Sequence, residues 1–530
     1  MKKLLYLLLA VTLVSCYDDI GNYNYNEVKA ITIEDFPEKL GDLIVLEDTI
    51  RISPTIGPKE LVDNDEFEYH WSIKKGTNSD AKMVRFSDEK DLVLPVTISG
   101  DITLMLEVVY KETGITKFQL VSGKGVSKMS NGMYLLKETA DGNTEIDMIG
   151  FNTLTGEATT YPDLISILNN GQPLAGRPVT LDYWGYRKEN YELGQLVAVP
   201  ALRIASNQDI LVLDTNEFDV LGRFEDLFLG EVPTVRNIQA LKSISTNTTL
   251  VNDGKVYCFA NYSNSISGTV IKEFGGNKFL PALIGDYAMA SQLAYAPIDA
   301  ANTFMSYDTK TSSFYYNQTS ASTPRLMRDA AGTGKFDNNL NSDLIFVEAV
   351  GTGAYATNLY ALLRNKSNPD ELTFYDLNPQ NLNSGILRLN TNGKTILKAS
   401  DYKIDDATHW AVHQHRRIIY FAYENAIWKF DCIAKTETKV LDLPADEEIT
   451  HIDVLNEYYT VSGATLIQLD KTKFIIATSS GDTYHLYKHE MAAGDVPAAT
   501  PYFTSAGTGK IKDYIYIKPT TTPMWMRYKY

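Results

Sequence analysis

The stretch Trp428-Lys429-Phe430-Asp431-Cys432-Ile433-Ala434-Lys435 joins an alternating strand pattern to a turn centred on an aspartate, and another strand pattern follows. An Asp or Asn side chain can accept hydrogen bonds from the backbone of its own turn, which explains the residue type. The same element recurs earlier in the chain, centred on Asn152, Asp214, Asp308 and Asp376. Repeated strand–turn–strand units predict an all-β repeat architecture.

The size of the unit follows from a repeated pentapeptide. Ala-Gly-Thr-Gly-Lys stands at 331–335 and again at 506–510, an offset of 175 residues. Three units of about 58 residues fill that offset, and a unit of this length holds the four strands of a propeller blade. Residues 127–530 are therefore predicted to form a β-propeller, with about seven blades. The alternatives, a tandem of β-sandwiches or a β-helix, need sharper linkers or shorter repeats.

Two further features belong to the propeller prediction. The longest interval, between Asp214 and Asp308, predicts a degenerate unit around residues 257–283. The end of the sequence is strand-like, so residues 525–530 are predicted to close the ring by pairing near residues 132–137, which removes an exposed edge.

Residues 29–126 have a different pattern of short alternating strands. The two strongest strand patterns flank residues 111–114, where Gly114 supplies the positive φ of a hairpin turn. Several strands around one tryptophan predict a β-sandwich with Trp71 as its buried core aromatic.

The start of the sequence predicts export and lipidation. Two lysines precede an apolar run over residues 4–14, which is too short for a comfortable transmembrane helix. Leu13-Val14-Ser15-Cys16 resembles a bacterial lipobox, which implies removal of residues 1–15 and lipidation of Cys16 on a tether over 16–28. Asp18 and Asp19 resemble the surface-export signal of Bacteroidetes-type lipoproteins. We therefore expect lipid anchoring in the outer membrane, facing the cell exterior. The alternative is a plain signal peptide with an incidental cysteine.

A family resemblance covers residues 17–125. Tyr17-Asp18-Asp19-x-Gly21-Asn22-Tyr23, the Tyr69-x-Trp71 strand and the long final hairpin resemble the PKD-like domain at the start of many Bacteroidetes lipoproteins. The usual Gly-Asp-Gly turn after the Trp strand is replaced by Lys74-Lys75-Gly76.

The resemblance implies a function. Such lipoproteins accompany TonB-dependent importers of the starch-utilisation type, so the expected role is an accessory subunit that captures an oligopeptide or oligosaccharide. The expected partners are the importer barrel and its lipoprotein lid. The alternatives are an adhesion or structural lipoprotein that binds another protein, and a propeller glycosidase or lyase.

The charge limits other partners. The formal net charge is −17, and removal of residues 1–15 takes away two lysines. That sign argues against binding to nucleic acid and against electrostatic docking on anionic lipid. Membrane contact is therefore expected through the lipid alone. Cys258 and Cys432 could form a disulfide or remain free, and the sequence leaves both open.

Catalytic and metal motifs are weak. His409, His413 and His415 share a face of an extended strand, but Arg416 and Arg417 would oppose a cation. Asp141, Asn143 and Glu145 imitate a calcium loop, yet Ile146 stands where that loop needs glycine. The two Ala-Gly-Thr-Gly-Lys copies lack the spacing of a phosphate loop. We predict no catalytic residue, no metal and no cofactor, and a chain that is not an enzyme.

An aromatic segment is the candidate binding site. Residues 181–191 carry Tyr183, Trp184, Tyr186 and Tyr191, which do not follow one strand period and are predicted to lie in a loop. Exposed Tyr and Trp stack on sugar rings or fill peptide pockets at low entropic cost. The alternative is that Trp184 anchors a long loop onto the propeller.

Overall fold

The computed structural model describes residues 30–517 with gaps at 45–47, 63–65, 76–81, 97–99, 127–131, 152–157, 191–194, 216–217, 245–246, 261–264, 267–268, 271–276, 295–302, 319–321, 330–337, 353–354, 382–384, 414–415, 462–464 and 493–494. The chain divides into two compact units. The first ends at Lys124 and the second begins at Gly125, apart from the short segments 44–46 and 97–100, which are assigned to the second. The predicted lipobox and tether, residues 13–28, lie outside the described residues.

The N-terminal sandwich consists of nine strands in the described part of the chain and a one-turn helix, Lys59–Val62. The strands are β1 Thr32–Glu34, β2 Gly41–Ile44, β3 Thr49–Ile52, β4 Thr55–Gly57, β5 Phe67–Lys75, β6 Val84–Ser87, β7 Leu92–Pro95, β8 Gly100–Tyr110 and β9 Thr116–Val126. They form a five-stranded sheet in the order β2-β9-β8-β5-β6 and two small sheets, β1-β4 and β3-β7.

Trp71 lies at the centre of this unit, as the sequence predicts. Its side chain is fully buried, stacks on Phe36 with ring centroids 5.9 Å apart, and donates from Nε1 to the carbonyl oxygen of Glu89 at 3.0 Å. The predicted hairpin turn between β8 and β9 is also confirmed, with Gly114 at φ +69°.

The second unit contains the remaining described strands and four short helices, Leu164–Leu168, Phe224–Leu227, Ala399–Asp401 and Lys403–Asp406. The strands in its N-terminal half are β10 Gly132–Glu138, β11 Thr144–Phe151, β12 Ala158–Tyr161, β13 Pro178–Asn190, β14 Gln195–Ser206, β15 Ile210–Asp214, β16 Val220–Arg223, β17 Ile238–Ile244, β18 Asn247–Asn252, β19 Lys255–Ala260, β20 Ser265–Ile266, β21 Thr269–Val270, β22 Thr303–Asp308, β23 Ser313–Gln318 and β24 Arg325–Leu326. Those in its C-terminal half are β25 Arg328–Asp329, β26 Ser342–Thr352, β27 Tyr355–Asn365, β28 Glu371–Asn381, β29 Ile386–Lys398, β30 His409–Val412, β31 Ile418–Tyr423, β32 Ala426–Asp431, β33 Thr436–Asp442, β34 Glu448–Val461, β35 Thr465–Ser480, β36 Thr483–Ala492, β37 Val496–Pro497, β38 Phe503–Thr508 and β39 Lys510–Ile517.

All of these strands except the pair β20-β21 form the seven blades of a propeller. In the described residues the blades are β39-β10-β11-β12, β13-β14-β15-β16, β17-β18-β19, β22-β23-β24, β26-β27-β28-β29 with β25 at its edge, β30-β31-β32-β33, and β34-β35-β36-β38 with β37 also on β36. We number them 1 to 7 in that order.

Buried apolar clusters show that the ring of blades is closed. Seven clusters lie between successive blades, and one of them joins blade 7 to blade 1 through Ile475, Leu486, Met133 and Ile511. The prediction of a seven-bladed propeller is therefore confirmed. The apolar residues stand on both faces of the strands because each blade is covered on both sides.

Blades 3 and 4 account for the longest interval between repeats. Each has three regular strands, and an irregular extended segment supplies the fourth position. In blade 3 the backbone nitrogens of Leu280 and Leu283 donate to carbonyl oxygens of β19. In blade 4 Ala294 and Met305 exchange backbone hydrogen bonds beside β22. The predicted degenerate unit around residues 257–283 is confirmed as the outer part of blade 3.

The predicted closing strand is wrong in its position. Strand β39 pairs with β10, with Ile517 opposite Gly132 and Lys510 opposite Glu138. The other edge of β10 pairs with β11. Both edges of β10 are therefore occupied, and they leave no position for residues 525–530, which lie outside the described residues.

Candidate functional site

The inner strands of the propeller define its two faces. Strands β39, β13, β17, β26, β30 and β34 each contact the inner strand of a neighbouring blade. All inner strands run in the same direction, because each blade is an antiparallel meander that leads into the next. The turns from inner strand to second strand therefore all lie on one face, which we call the hairpin face. Ile517 and Gly132 also lie there, since they pair where β39 ends and β10 begins.

Among the described residues, three hairpins project from the hairpin face. The blade-2 arm consists of residues 186–190 and 195–199, where β13 and β14 continue beyond the last pairing with β15. The blade-5 arm consists of residues 350–352 and 355–358. The blade-7 arm consists of residues 456–461 and 465–472, where β34 and β35 continue beyond β36. Eight residues of β35 extend beyond β36, a rise of about 26 Å at 3.3 Å per residue.

The arms differ in charge. The blade-2 hairpin carries Arg187, Lys188, Glu189 and Glu192. Residues 349–363 in blade 5 and residues 458–469 in blade 7 contain no Asp, Glu, Lys or Arg. The blade-5 arm therefore carries no charged residue, whereas the blade-7 arm carries Glu457, Asp470 and Lys471 near its base and none over residues 458–469.

A buried ionic network fixes the base of the blade-2 arm. Asp182 of β13 accepts hydrogen bonds from the backbone nitrogen of Ser243 at 3.1 Å and from its hydroxyl group. The Arg203 guanidinium lies 3.4 Å from the Asp182 carboxylate and also donates to the Gly185 carbonyl oxygen at 3.1 Å. All three side chains are buried, so their mutual hydrogen bonds offset the loss of solvation. This network holds blade 2 against blade 3.

An equivalent carboxylate holds blade 1 against blade 2. Asp513 of β39 accepts hydrogen bonds at 2.9 Å from the hydroxyl group of Thr180 and from the backbone nitrogen of Leu181. Asp513 and Asp182 therefore make the same kind of contact, since each carboxylate accepts a hydrogen bond from a backbone nitrogen of the next blade. Sequence reasoning did not select these aspartates, although each stands within an alternating strand and one of them directly precedes Tyr183.

Strands β34 and β39 are also in direct contact. The ring of Tyr514 lies edge-on to the ring of His451, with centroids 5.6 Å apart, and its hydroxyl group is hydrogen bonded to Asp453. Burial, followed by the Asp453 charge, raises the pKa of Tyr514 well above its usual value. This contact aligns the two strands three residues before the blade-7 arm begins.

The predicted aromatic residues lie in a strand, which corrects the prediction of a loop. Tyr183, Trp184 and Tyr186 belong to β13, and Tyr191 lies outside the described residues. Trp184 is buried, and Tyr183 packs against the cluster between blades 1 and 2. The Tyr186 hydroxyl group donates to the carbonyl oxygen of Leu221 at 3.3 Å. These contacts give the three described residues a packing role. Ligand binding by the four aromatic residues stays a prediction.

The histidine motif does not assemble a three-histidine face among the described residues. His409 starts β30, whereas His413 is buried beyond the end of that strand and its Nδ1 accepts from the backbone nitrogen of Arg416 at 3.2 Å. His415 lies outside the described residues. Burial, and then the neighbouring charges of His451 and Lys512, lower the pKa of His409 to about 4. No group of three or more His, Cys, Asp or Glu side chains in the described ranges is placed to hold a metal ion.

The calcium-like segment is a hairpin turn, as the sequence favoured. The backbone nitrogens of Thr139 and Gly142 bond to the carbonyl oxygens of Asn143 and Thr139 respectively. Glu145 points inwards and accepts hydrogen bonds from the backbone nitrogens of Ile165 and Ser166 at 2.7 and 3.0 Å. Its carboxylate is thus occupied by the start of the short helix Leu164–Leu168.

The second Ala-Gly-Thr-Gly-Lys copy connects two strands. Gly509, at φ +94°, turns β38 into β39, and the Lys510 ammonium donates to Glu448 at 2.7 Å. A phosphate loop needs a strand followed by a helix, so this copy is not one. The first copy, residues 331–335, lies outside the described residues.

The cysteines are both free and buried, which resolves the open alternative. Cys258 lies in the cluster between blades 3 and 4, and Cys432 in the cluster between blades 5 and 6. Burial raises the pKa of the Cys258 thiol to about 12. No described helix has both the length and the apolar character of a membrane span.

The family comparison gives a match to the N-terminal part of the chain. A model of the PKD-like family matches residues 16–178, which include the sandwich and the first three strands of blade 1 in chain order. The match thus extends beyond the predicted resemblance over residues 17–125. No curated protein matches the chain.

Solved structures with a similar chain path have low sequence identity. A quinonprotein alcohol dehydrogenase-like protein from Bacteroides thetaiotaomicron is similar at 13% identity and TM-score 0.44, over 93% of this chain and 100% of that one. AztD from Citrobacter koseri is similar at 9% identity and TM-score 0.32, over 84% of this chain and 100% of that one. The WD40 domain of SCAP from fission yeast is similar at 10% identity and TM-score 0.32, over 63% of this chain and 75% of that one.

The fold and the family match define the class of protein. It is an all-β chain with a PKD-like N-terminal part and a seven-bladed propeller, an architecture that suggests a binding or structural protein.

Proposed function

We propose that this protein is a surface lipoprotein, lipidated at Cys16, that captures an oligopeptide or oligosaccharide for a TonB-dependent importer. It acts as an accessory subunit beside the barrel and its lipoprotein lid, and it carries out no catalysis. Its place in the outer membrane rests on the lipobox Leu13-Val14-Ser15-Cys16 and on the acidic pair that follows.

The hairpin face is the observation that carries the capture role. Three arms project from one end of a closed ring whose blades are fixed by buried clusters and by Asp182 and Asp513. A rigid ring that presents projecting hairpins offers a large, pre-organised surface, and pre-organisation lowers the entropic penalty of binding. Lipid anchoring would add a high effective concentration near the importer.

The test is co-purification from a Bacteroidetes host. The chain is expressed with its native signal, the outer membrane is solubilised in detergent, and proteins that come down with it are identified by mass spectrometry. We expect a TonB-dependent barrel and its lid in stoichiometric yield. Recovery of the lipoprotein alone would reject the importer role.

A Cys16→Ala variant is the matched control. It leaves the propeller sequence intact but removes the thiol that accepts the lipid. We expect loss of fatty-acid label and loss of the barrel from the pull-down. Retained label on Cys16→Ala would contradict lipidation at this residue.

A further inference from the structure

The five-stranded sheet of the N-terminal sandwich carries exposed apolar side chains on its outward face. Along β8, fully buried residues such as Leu104 and Leu106 alternate with half-buried ones such as Met105. On β9 the same alternation leaves Phe118 and Leu120 51% and 53% exposed. Single exposed apolar side chains are common on protein surfaces, whereas adjacent ones indicate a surface that binds another.

The strand register places these apolar side chains next to one another. The hydroxyl oxygens of Thr103 and Ser122 lie 3.2 Å apart, so these two residues stand opposite each other on β8 and β9. Two residues further along each strand, Leu120 stands opposite Met105 on the same face, and the next outward residue of β9 is Phe118. These three side chains, Met105, Phe118 and Leu120, are called the apolar strip below.

Polar residues border the apolar strip. The outward residues of β5 that pair with β8 are all polar, and they are Glu68, His70, Ser72 and Lys74. An apolar centre with a polar rim is the usual composition of a protein–protein interface. The outward face of this sheet therefore has the composition of a docking surface.

Charge differs between the two ends of this face. The end near the β8–β9 turn carries Glu68 and Glu107, which stand on neighbouring strands. The other end carries Lys74 and Lys124, together with Asp101. If two copies met with their strands antiparallel, the acidic end of each would face the basic end of the other. A parallel approach would bring like ends together, so the charge pattern favours the antiparallel one.

We propose that the outward face of this sheet binds a second copy of the same chain, with the apolar strips packed together and the strands antiparallel. A two-fold interface uses the same patch on both copies and must be self-complementary, a condition that the charge pattern meets. Leu120 stands midway between the acidic and basic ends and thus near the two-fold axis. The proposal does not depend on the importer role, because both partners are copies of this chain.

The first test is disulfide cross-linking of the chain without signal and lipid, residues 17–530. Its own cysteines, Cys258 and Cys432, are free and buried, so an introduced surface cysteine supplies the reactive thiol. We expect Leu120→Cys to form a covalent dimer on mild oxidation. Val93→Cys is the matched control, because Val93 is 56% exposed but lies on the small β3-β7 sheet. Equal cross-linking of both variants, or none of Leu120→Cys, would overturn the proposal.

The second test is analytical ultracentrifugation of the same chain over a range of concentrations. We expect a reversible dimer, and we expect Leu120→Lys to raise its dissociation constant at least about tenfold, because each copy then places a charge in an apolar contact. Val93→Lys should leave the dissociation constant unchanged. Urea denaturation of both variants verifies that they fold. An unsubstituted chain that stays monomeric at every concentration would contradict the proposal.

Charge reversal tests the antiparallel arrangement. Glu107→Lys and Lys74→Glu should each weaken the dimer, because each places like charges at facing ends, and the double variant should restore it. A double variant weaker than either single one would reject the arrangement. The proposal also fails if the chain is a monomer and Leu120 becomes protected only when an importer barrel is added, since the surface then belongs to that partner.

Discussion

The blade-2 and blade-7 arms project from the same face but differ in how they are built. The base of the blade-2 arm is fixed by the buried Asp182–Arg203–Ser243 network, and its hairpin is charged. At the base of the blade-7 arm the half-buried Asp453 meets the buried Tyr514, and the hairpin carries no charge over residues 458–469. The comparison indicates that the two arms are fixed differently, blade 2 by a buried ionic network between blades and blade 7 by a tyrosine–aspartate contact.

The largest effect is expected at the base of the blade-2 arm. Asp182→Ala leaves the buried Arg203 guanidinium without its carboxylate and removes two hydrogen bonds to Ser243. We expect the free energy of unfolding to fall by about 3–5 kcal/mol. Urea denaturation measures this, with Asp401→Ala as control, because Asp401 is exposed and its ion pair with Lys398 is 3.8 Å long. A loss as small as that of the control would mean that the network does not hold the blades.

A smaller effect is expected at the base of the blade-7 arm. Asp453→Ala removes the acceptor for the Tyr514 hydroxyl group, a loss of about 1 kcal/mol for one hydrogen bond. The same denaturation series measures it. If Asp453→Ala destabilises the protein as much as Asp182→Ala does, the two bases are equally fixed and the comparison between the arms breaks down.

The opposite face of the ring provides a pH-dependent effect. The pKa of His409 is lowered from 6.5 to about 4, so the unfolded chain binds more protons than the native chain between these values. The contribution of neutral His409 to stability is therefore full above pH 6.5 and is lost as the pH falls towards about 4. We expect the difference in urea midpoint between the native protein and His409→Gln to shrink over that range. A difference that stays constant with pH would contradict the lowered pKa.

Local sequence signals predicted much of the fold. Trp71 and the Gly114 turn were confirmed, because a lone core aromatic and a positive φ leave clear traces in the sequence. The strand pattern and the length of the unit predicted seven blades. The aspartates that the sequence predicted to stand in turns differ in their structural roles. Asp431 accepts from the backbone nitrogens of Ile433 and Ala434 in a turn, whereas Asp376 lies inside β28 and binds the amide groups of Asn358 and Asn390.

The candidate site was less predictable. The pattern of Tyr183, Trp184 and Tyr186 has no single strand period because β13 is covered on both faces, by blades 1 and 3. Side chains that point to either face of the strand are therefore packed. The sequence therefore looked like a loop where the innermost strand of a blade stands. Likewise, the partners of Asp182 and Asp513 come from neighbouring blades, and no local pattern contains them.

By itself the sequence determined the all-β class, the two-part organisation and the number of blades, because strand period, turn chemistry and repeat length are local properties. The tertiary structure decided which strand closes the ring, how the aspartates of the inner strands join the blades, and that three hairpins share one face. Those features depend on contacts between residues far apart in the chain, such as Lys510 with Glu138 and Asp513 with Leu181, and only the closed ring brings such residues together.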